Sequence, residues 1–555
     1  MDEKKDKTAR PETNDGETSI EQLLRDRQRL DDQLKDKFSK EVTVMFTDIK
    51  GSTSFFETYG DIEGRLMVQK HNEMLFPIVE QYGGRVIKTI GDAIMAAFEG
   101  PEPAVRSAIG MQQKLLEYNQ TKKDQRDHIH VRIGINTGEG LVEKEDIFGD
   151  VVNVAARVES LTDPDEIMIS ENVFGQVRKT DDVICRFASQ TKVKGKEEAL
   201  NVYRVIWGDE DAVAGQTRSA PAARRKSGPR RRLEIDISRE GETLRLTVAE
   251  KSDKAQSTIR PYEELQVQMS TISEQCRTIT DLLNQANTQG QVSKDILANL
   301  RSAGQSLFNS LLGESARAQL RSASVDDLIF HIEDSLVQIP WELLYDGEQF
   351  LCLKFNMGRI VKTRQTVANI KQRELFRPLK MLIISDPRGD LTSAAAEGNA
   401  ICSQLDTNLS YVTANQRSGQ ITPAYLTEKI RNFDMVHYAG HAVYDSAEPE
   451  KSGLLLDGGK MTSADIMKLV GGRPMPALVF CNACQSGQTE EWAIGNDYNQ
   501  KIFGIANAFL MSGVQHYVGT FWEILDEPGK RFAIEFYRAL MDGATTGEAM
   551  QQARH

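Results

Sequence analysis

Along this chain, short apolar bursts that read as strands, several bounded by glycine-containing turns, alternate with stretches of helical spacing. Val42, Val44 and Phe46 form one such burst, which delivers Asp48 to the end of a predicted strand. Gly51, Ser52, Thr53 and Ser54 follow, and a helix is expected to begin near Phe55. Val86, Ile87 and Ile90 lead into Gly91-Asp92, and Ile94 to Phe98 lead away. That predicts a β-hairpin with an acid at its tip. Beyond Gly149 the spacing turns helical, and Asn153 and Arg157, four apart, share a face. Nearer the N-terminus, Thr18 and Glu21 make a capping-box pattern that opens a charged helix to about Phe38. Ile20, Leu23, Leu30 and Leu34 occupy its a and d positions, with Arg27 on the seam. It is either a short parallel coiled coil or a surface helix of its own domain. Residues 1–17 are polar and expected to be disordered.

The pattern lapses after Trp207. Arg218, Arg224, Arg225, Lys226, Arg230, Arg231 and Arg232 follow without an acidic residue between them, so 208–232 is expected to be a basic flexible linker. Alternation restarts with Leu233, Ile235 and Ile237, then Leu244, Leu246 and Val248, a second hairpin. Helical sequence runs to about Ser322, and Asp327 to Glu333 reads as a strand. From Leu379 onward strands at 379–385, 409–414, 433–439 and 477–481 alternate with helices at about 394–406 and 422–431. Such alternation predicts a mostly parallel sheet between helical layers, with reactive groups at strand C-terminal ends. His441 falls just past one such strand and Cys484 just past another, a plausible base and thiol nucleophile. Cys481 belongs to the buried strand. It and Cys484 lack a second Cys/His pair at zinc-ligand spacing.

A chain of 555 residues exceeds one core and suits about two to four domains. Its 40% hydrophobic and 27% charged residues are ordinary for a globular protein. The net charge of −13 argues against wholesale binding to nucleic acid or an anionic membrane. No apolar run approaches the roughly 18 residues of a membrane span, and Met1 to Lys5 lack the apolar core of a signal peptide. Six scattered cysteines fit a reducing compartment, so a cytoplasmic location is expected.

The chemistry concentrates in the first third. Backbone N–H groups at the Gly51-Ser52-Thr53 turn suit phosphate oxygens, and Asp48 beside them suits a divalent cation. Asp92 adds a second carboxylate, enough to hold two Mg²⁺ or Mn²⁺ ions. Arg157 suits charge growing on a transferring phosphate. These segments, with Lys88 and Asp146, resemble a class III nucleotidyl cyclase domain over about residues 41–207. The resemblance implies a ferredoxin-like α+β fold in which Asp48, Asp92 and the backbone of Ile49 hold metal. It implies that Lys88 and Asp146 read adenine, where guanylate-forming members carry Glu and Cys. Asn153 would orient the ribose, Arg157 would stabilise the transition state, and Arg132 and Lys194 would contact the triphosphate. The site would lie across a homodimer, Asp48 and Asp92 from one copy meeting Lys88, Asp146, Asn153 and Arg157 of the other. ATP would be converted to cyclic AMP and pyrophosphate.

The C-terminal region resembles the CHAT peptidase family, of caspase-like fold, over about 233–555. Ile339-Pro340-Trp341-Glu342, His437 to His441, Gly453 to Asp457, Asn482-Ala483-Cys484 and Phe509 to Val514 carry the likeness. It divides into an N-terminal part, 233–378, and a peptidase core, 379–555. By it His441 is the base and Cys484 the nucleophile, with backbone N–H groups near Ala442 and Cys484 holding the oxyanion. His437 is expected to be a structural strand residue. Metacaspase relatives carry an acid two residues before the cysteine that selects Arg or Lys; here Asn482 stands there. CHAT domains also continue past the last helix into a Trp-containing strand, whereas this sequence stops at Arg554-His555.

The whole is expected to be an α/β multidomain protein of signalling or antiviral defence, a cyclase domain followed by a caspase-like α/β/α domain. Dimerisation or nucleotide occupancy of the first is expected to gate proteolysis of an unidentified protein by the second. The alternative is a nucleotide-sensing module, with little turnover, that controls a CHAT protease or scaffold.

Overall fold

The computed structural model describes residues 27, 29, 37–143, 146–192, 199–208, 231–251, 262–337, 339–362, 372–406, 411–443, 445, 448–483, 498–520 and 526–555. The expected helix from Thr18 to Phe38 lies outside them except at 27, 29, 37 and 38, as do most of the basic linker, Lys194 and Cys484. The chain forms two compact units: Met1–Val177 with Ser189–Trp207, and Arg178–Ala188 with Gly208–His555.

The first unit is built on an eight-stranded sheet. Its strands are β1 (Ser39–Ile49), β2 (Arg85–Ile90), β3 (Ala93–Phe98), β4 (Val131–Val142), β5 (Ile147–Phe148), β6 (Ile167–Ser170), β7 (Ile184–Lys192), of which only the part from Ser189 belongs to this unit, and β8 (Ala199–Ile206). The order is β2-β3-β1-β4-β6-β8-β7, with β5 beside β4. β1 is antiparallel to both β3 and β4. Its residues from Val42 to Thr47 are buried on both faces, which explains a nearly continuous apolar run. Helix Asp61–Gln81 lies on β2, helix Pro101–Thr121 on β1, β3 and β4, and helix Asp150–Ser160 on β4 and β1. That last helix sits close because β4 has glycine at the crossing: a Cβ on Gly134 would stand 2.1 Å from the nitrogen of Glu159.

The second unit holds two larger sheets. In the first, β9 (Arg232–Glu240), β10 (Thr243–Lys251), β11 (Tyr262–Gln266), β12 (Asp327–Glu333) and β13 (Asn356–Lys362) run in the order β11-β10-β9-β12-β13. β12 buries Leu328, Phe330 and Ile332 and leaves the residues between them partly exposed, so one face packs and the other is wet. The helices Met269–Gln289, Lys294–Leu311 and Glu314–Ser322 contribute to the core on that face. The second sheet has β14 (Leu379–Ser385), β15 (Val412–Arg417), β16 (Met435–Gly440), β20 (Leu478–Ala483) and β21 (His516–Gly519), all parallel, in the order β15-β14-β16-β20-β21. β14 and β16 are buried on both faces, and separate hydrophobic cores form above and below the sheet. One core includes helices Thr392–Leu405, Asp526–Met541 and Thr546–Arg554; the other includes Pro423–Lys429 and Tyr498–Ser512. A small sheet of β17 (Ala442–Val443), β18 (Gly453–Leu456) and β19 (Gly459–Thr462) completes the unit.

Arg178–Ala188 lies inside the stretch 41–207 yet belongs to the second unit, and polar groups hold it there. Arg186 and Asp434, both buried, form two hydrogen bonds of 2.9 Å, and the Lys380 backbone N–H donates to the same carboxylate at 2.8 Å. The Lys380 ammonium donates to the carbonyls of Thr180, Asp181 and Val183. Burial lowers its pKa to about 8. Strand β15 is described from Val412 and continues to Arg417, beyond the expected end at 414, with the polar Thr413 and Asn415 buried on it; residues 409 and 410 lie outside the described residues. Asn415 bonds the Lys179 carbonyl and the Asp181 carboxylate. None of the described helices is long and apolar enough to cross a membrane.

In the first unit His71 is fully buried on helix Asp61–Gln81 beside Leu75 and Val79. Burial holds its pKa down at about 4, against smaller upward pulls from Asn72 and Asp92. Its folded-state value lies below the unfolded one, so the unfolded chain binds the extra proton between pH 6.5 and 4. The stability is present in full above the upper value and is lost as pH falls through this window, by about 3 kcal/mol. His71→Leu is therefore expected to flatten the pH dependence of denaturant unfolding over that range. Identical slopes in the two proteins would contradict a buried neutral imidazole.

Candidate functional sites

Asp48 is the penultimate residue of β1, and Asp92 follows Gly91 in the turn between β2 and β3. Gly91 takes a left-handed φ of +65°, which a tight two-residue turn favours. Because β1 pairs with β3 up to Thr47 and Ile94, the two acids emerge at neighbouring strand ends. The Ile49 backbone N–H donates to Asp92 Oδ2 at 3.3 Å. Across β1 on the other side, Asp48 stands opposite Arg132 of β4. Arg132 donates to Asp48 Oδ2 from Nε at 2.9 Å and from Nη2 at 2.6 Å.

A third acid joins them. Glu159, at the end of helix Asp150–Ser160, places Oε1 2.7 Å from Arg132 Nε. Burial pushes its carboxyl pKa up, Arg132 opposes this, and the charges of Asp48 and Asp92 add to it. One guanidinium thus faces three carboxylates. Among the described residues no three His, Cys, Asp or Glu side chains gather as a metal cage. The donor set is two carboxylates and neighbouring backbone oxygen. That suits a hard cation which keeps waters and takes its remaining ligands from phosphate.

Lys88 and Asp146, 58 positions apart, meet directly: Nζ lies 2.8 Å from Oδ1 and 2.6 Å from Oδ2. The Lys88 hydrogen bond, helped by the Ile147 N–H, holds the Asp146 pKa below the usual carboxylate range. The Lys88 ammonium also sits 6.0 Å from the centre of the exposed Phe148 ring. Asn153 and Arg157 are exposed, one turn apart on their helix. The helix after β1 starts at Ser52 rather than near Phe55. Gly51, with φ +74°, turns the chain directly from strand to helix, so Ser52 and Thr53 form its first turn. The structure therefore brings together Asp48, Asp92 and Arg132, and separately Lys88 and Asp146. Lys194 lies outside the described residues. Glu159 carries no sequence cue beyond its place two residues after Arg157.

In the second unit His441 directly follows β16 and is largely buried, at 8% exposure. Its Nε2 lies 3.2 Å from Asp390 Oδ1. The loop bearing Asp390 is held by Asp386, whose Oδ1 accepts from the N–H groups of Asp390 and Leu391 and whose own N–H donates to the Ala439 carbonyl. The His441 carbonyl accepts from the Tyr438 hydroxyl at 2.5 Å and from the Leu455 N–H at 2.9 Å. Ala442 begins β17. Cys481 is buried in β20, while Cys484 lies outside the described residues. Asn482 is also buried, and its amide donates to both oxygens of Glu397 at 3.1 and 2.9 Å. His437, fully buried on β16, places Nε2 3.0 Å from the same carboxylate and Nδ1 3.1 Å from the Tyr537 hydroxyl. Asn482 and His437 thus belong to an interior polar network, joined to a glutamate that sequence reasoning missed.

Two family models match the chain. One, described as the adenylate and guanylate cyclase catalytic domain, covers residues 34–206. The other, the CHAT domain, covers residues 301–555. An adenylate cyclase of Anabaena cylindrica is 35% identical over 185 residues, spanning 30% of this chain and 37% of that protein. Adenylate cyclase 1 of Rhizobium meliloti is 29% identical over 185 residues, 30% of this chain and 28% of its own length. Across the most similar curated relatives, the match spans between 19% and 37% of their length. Among solved structures, the adenylyl cyclase CyaB from P. aeruginosa is 26% identical, over 31% of this chain and 97% of that one, with a TM-score of 0.28. The adenylate/guanylate cyclase/hydrolase from Silicibacter pomeroyi is 30% identical, over 30% and 97%, with the same score.

Proposed function

Starting from a chain that carries a class III cyclase catalytic domain and a CHAT domain, we propose that the first makes cyclic AMP from ATP and that the second is a cysteine peptidase. The observation that carries the adenine reading is the Lys88–Asp146 pair. Adenine presents an amino donor beside a ring-nitrogen acceptor, so an acceptor carboxylate and a donor ammonium complement it. Guanine presents the reverse order and would meet like groups.

Asp48, Asp92 and the Ile49 backbone would hold Mg²⁺ or Mn²⁺; when bound, such ions neutralise phosphate charge and favour the ionised ribose hydroxyl. The remaining work belongs to this chain's side chains, and it is positioning rather than covalent catalysis. Asn153 orients the ribose so that its 3′-oxygen lies in line with the α-phosphorus. The 3′-oxygen forms the new P–O bond, the bond to pyrophosphate breaks, and the hydroxyl proton leaves to water. Arg157 meets the charge that develops on the α-phosphate. Arg132 and Lys194 hold the triphosphate, and the Gly51-Ser52-Thr53 turn offers backbone N–H groups to its oxygens. Each copy carries Asp48 with Asp92 as one group and Lys88 with Asp146 as another, which supports two half-sites completed by a second copy.

In the CHAT domain, His441 takes the Cys484 thiol proton, the thiolate attacks a peptide carbonyl, and the proton passes to the leaving amine. Asp390 at Nε2 fixes the imidazole. Asn482, turned onto Glu397, gives no support for a basic residue before the scissile bond.

Purified protein given ATP, GTP, CTP and UTP with Mg²⁺ or Mn²⁺ should form a cyclic product from ATP alone, by chromatography. Asp48→Ala and Arg157→Ala should each lower the rate by at least about a hundredfold. Lys88→Glu with Asp146→Cys should shift product toward cyclic GMP. Cyclic GMP from the unaltered protein would overturn the adenine reading. For the CHAT domain, iodoacetamide should alkylate Cys484 more slowly in His441→Ala than in the parent protein. Equal rates would remove His441 as the base.

A further inference from the structure

Arg132 is the residue whose surroundings fit its expected role least simply. A triphosphate-binding guanidinium should be available to anions, yet here it contacts two acids of its own chain. Nε and Nη2 bond Asp48 Oδ2 at 2.9 and 2.6 Å, and Nε lies 2.7 Å from Glu159 Oε1. The side chain of Glu159 is only 15% exposed, against 23% for Asp48 and 36% for Arg132. The less hydrated of the two acids is therefore the one outside the metal-binding pair.

Both contacts are fixed by the fold. Asp48 and Arg132 are cross-strand neighbours in the β1–β4 register. Glu159 is held against β4 because its helix crosses at Gly134, where no side chain intervenes. A cation arriving at Asp48 and a guanidinium already there compete for the same oxygen.

We propose that Glu159 is a positioning residue that shares Arg132 with Asp48, so that the guanidinium can leave the metal-binding carboxylate without losing its partner. Arg132 then acts as a resident cation in the nucleotide-free site, displaced toward the triphosphate as divalent metal takes its place on Asp48. Glu159 sets how firmly Arg132 competes. The inference rests on reading Asp48 and Asp92 as metal ligands. It adds a second role to Arg132 and a first one to Glu159.

The test is Mn²⁺ binding to the full chain without nucleotide, followed by the electron paramagnetic resonance signal of free Mn²⁺. Arg132→Gln removes the competitor and should tighten Mn²⁺ binding, by roughly two- to fivefold for a partly exposed pair. Glu159→Gln gives Arg132 wholly to Asp48 and should weaken binding by a similar factor. In the double variant Arg132→Gln/Glu159→Gln, the Glu159 substitution should lose most of its effect. Opposite signs for the single variants are what a merely structural role would not produce. Weakened binding in both would overturn the proposal, and so would a Glu159→Gln effect that persists undiminished without Arg132. Mn²⁺ binding that is the same in Asp48→Ala/Asp92→Ala as in the parent would instead overturn the metal-ligand reading beneath it.

Discussion

Asp48 and Asp92 are like charges held side by side, and the first unit is arranged around keeping them together. β1 lies between β3 and β4, which fixes Asp48 by strand pairing, and the tight β2–β3 turn fixes Asp92 beside it. The Ile49 N–H satisfies part of Asp92, and Arg132 neutralises Asp48 from the opposite strand. Glu159 then returns negative charge to the group. The surplus of carboxylates over guanidinium is a local field that a divalent cation relieves and an unpartnered anion would not.

The second unit meets a related physical problem in its interior. Strands buried on both faces ordinarily carry apolar side chains, yet β14, β15, β16 and β20 bury Lys380, Asn415, His437 and Asn482. Each has found partners: carbonyls for Lys380, Asp181 for Asn415, the Tyr537 hydroxyl for His437 and Glu397 for Asn482. Losing one partner would strand the other in the interior. These pairings hold the strands whose ends carry His441 and lead to Cys484. The end of β16 that carries His441 is braced by the sheet and by the loop that presents Asp390.

Sequence alone revealed what depends on local pattern. The hairpin with Asp92 at its tip, the two-sided burial of β14 and the helical face shared by Asn153 and Arg157 all follow from spacing. What it could not reveal depends on partners far along the chain. Arg186 and Asp434 are 248 positions apart, and nothing in either segment announces the other. β15 continues past residue 414 with Asn415 buried, and the Asp181 that bonds it lies 234 positions away. Glu159 and Glu397 read as ordinary helical acids. Helix Ser52–Tyr59 began earlier than its apolar residues imply, since a left-handed Gly51, not hydrophobicity, sets its start. Candidate site residues can be named from chemical type; the acids beside them, Glu159 and Glu397, cannot.

The central claim is that the two clusters in each copy are halves of sites completed by a second copy. Mixing purified Asp48→Ala with purified Arg157→Ala under conditions that let copies exchange tests it most directly. Heterodimers then contain one site with every residue intact. The account predicts that cyclic AMP formation returns from near zero to about a quarter of the parent rate in an equal mixture. A mixture as inactive as either variant alone, with exchange verified by mass, would show that the clusters do not combine across copies.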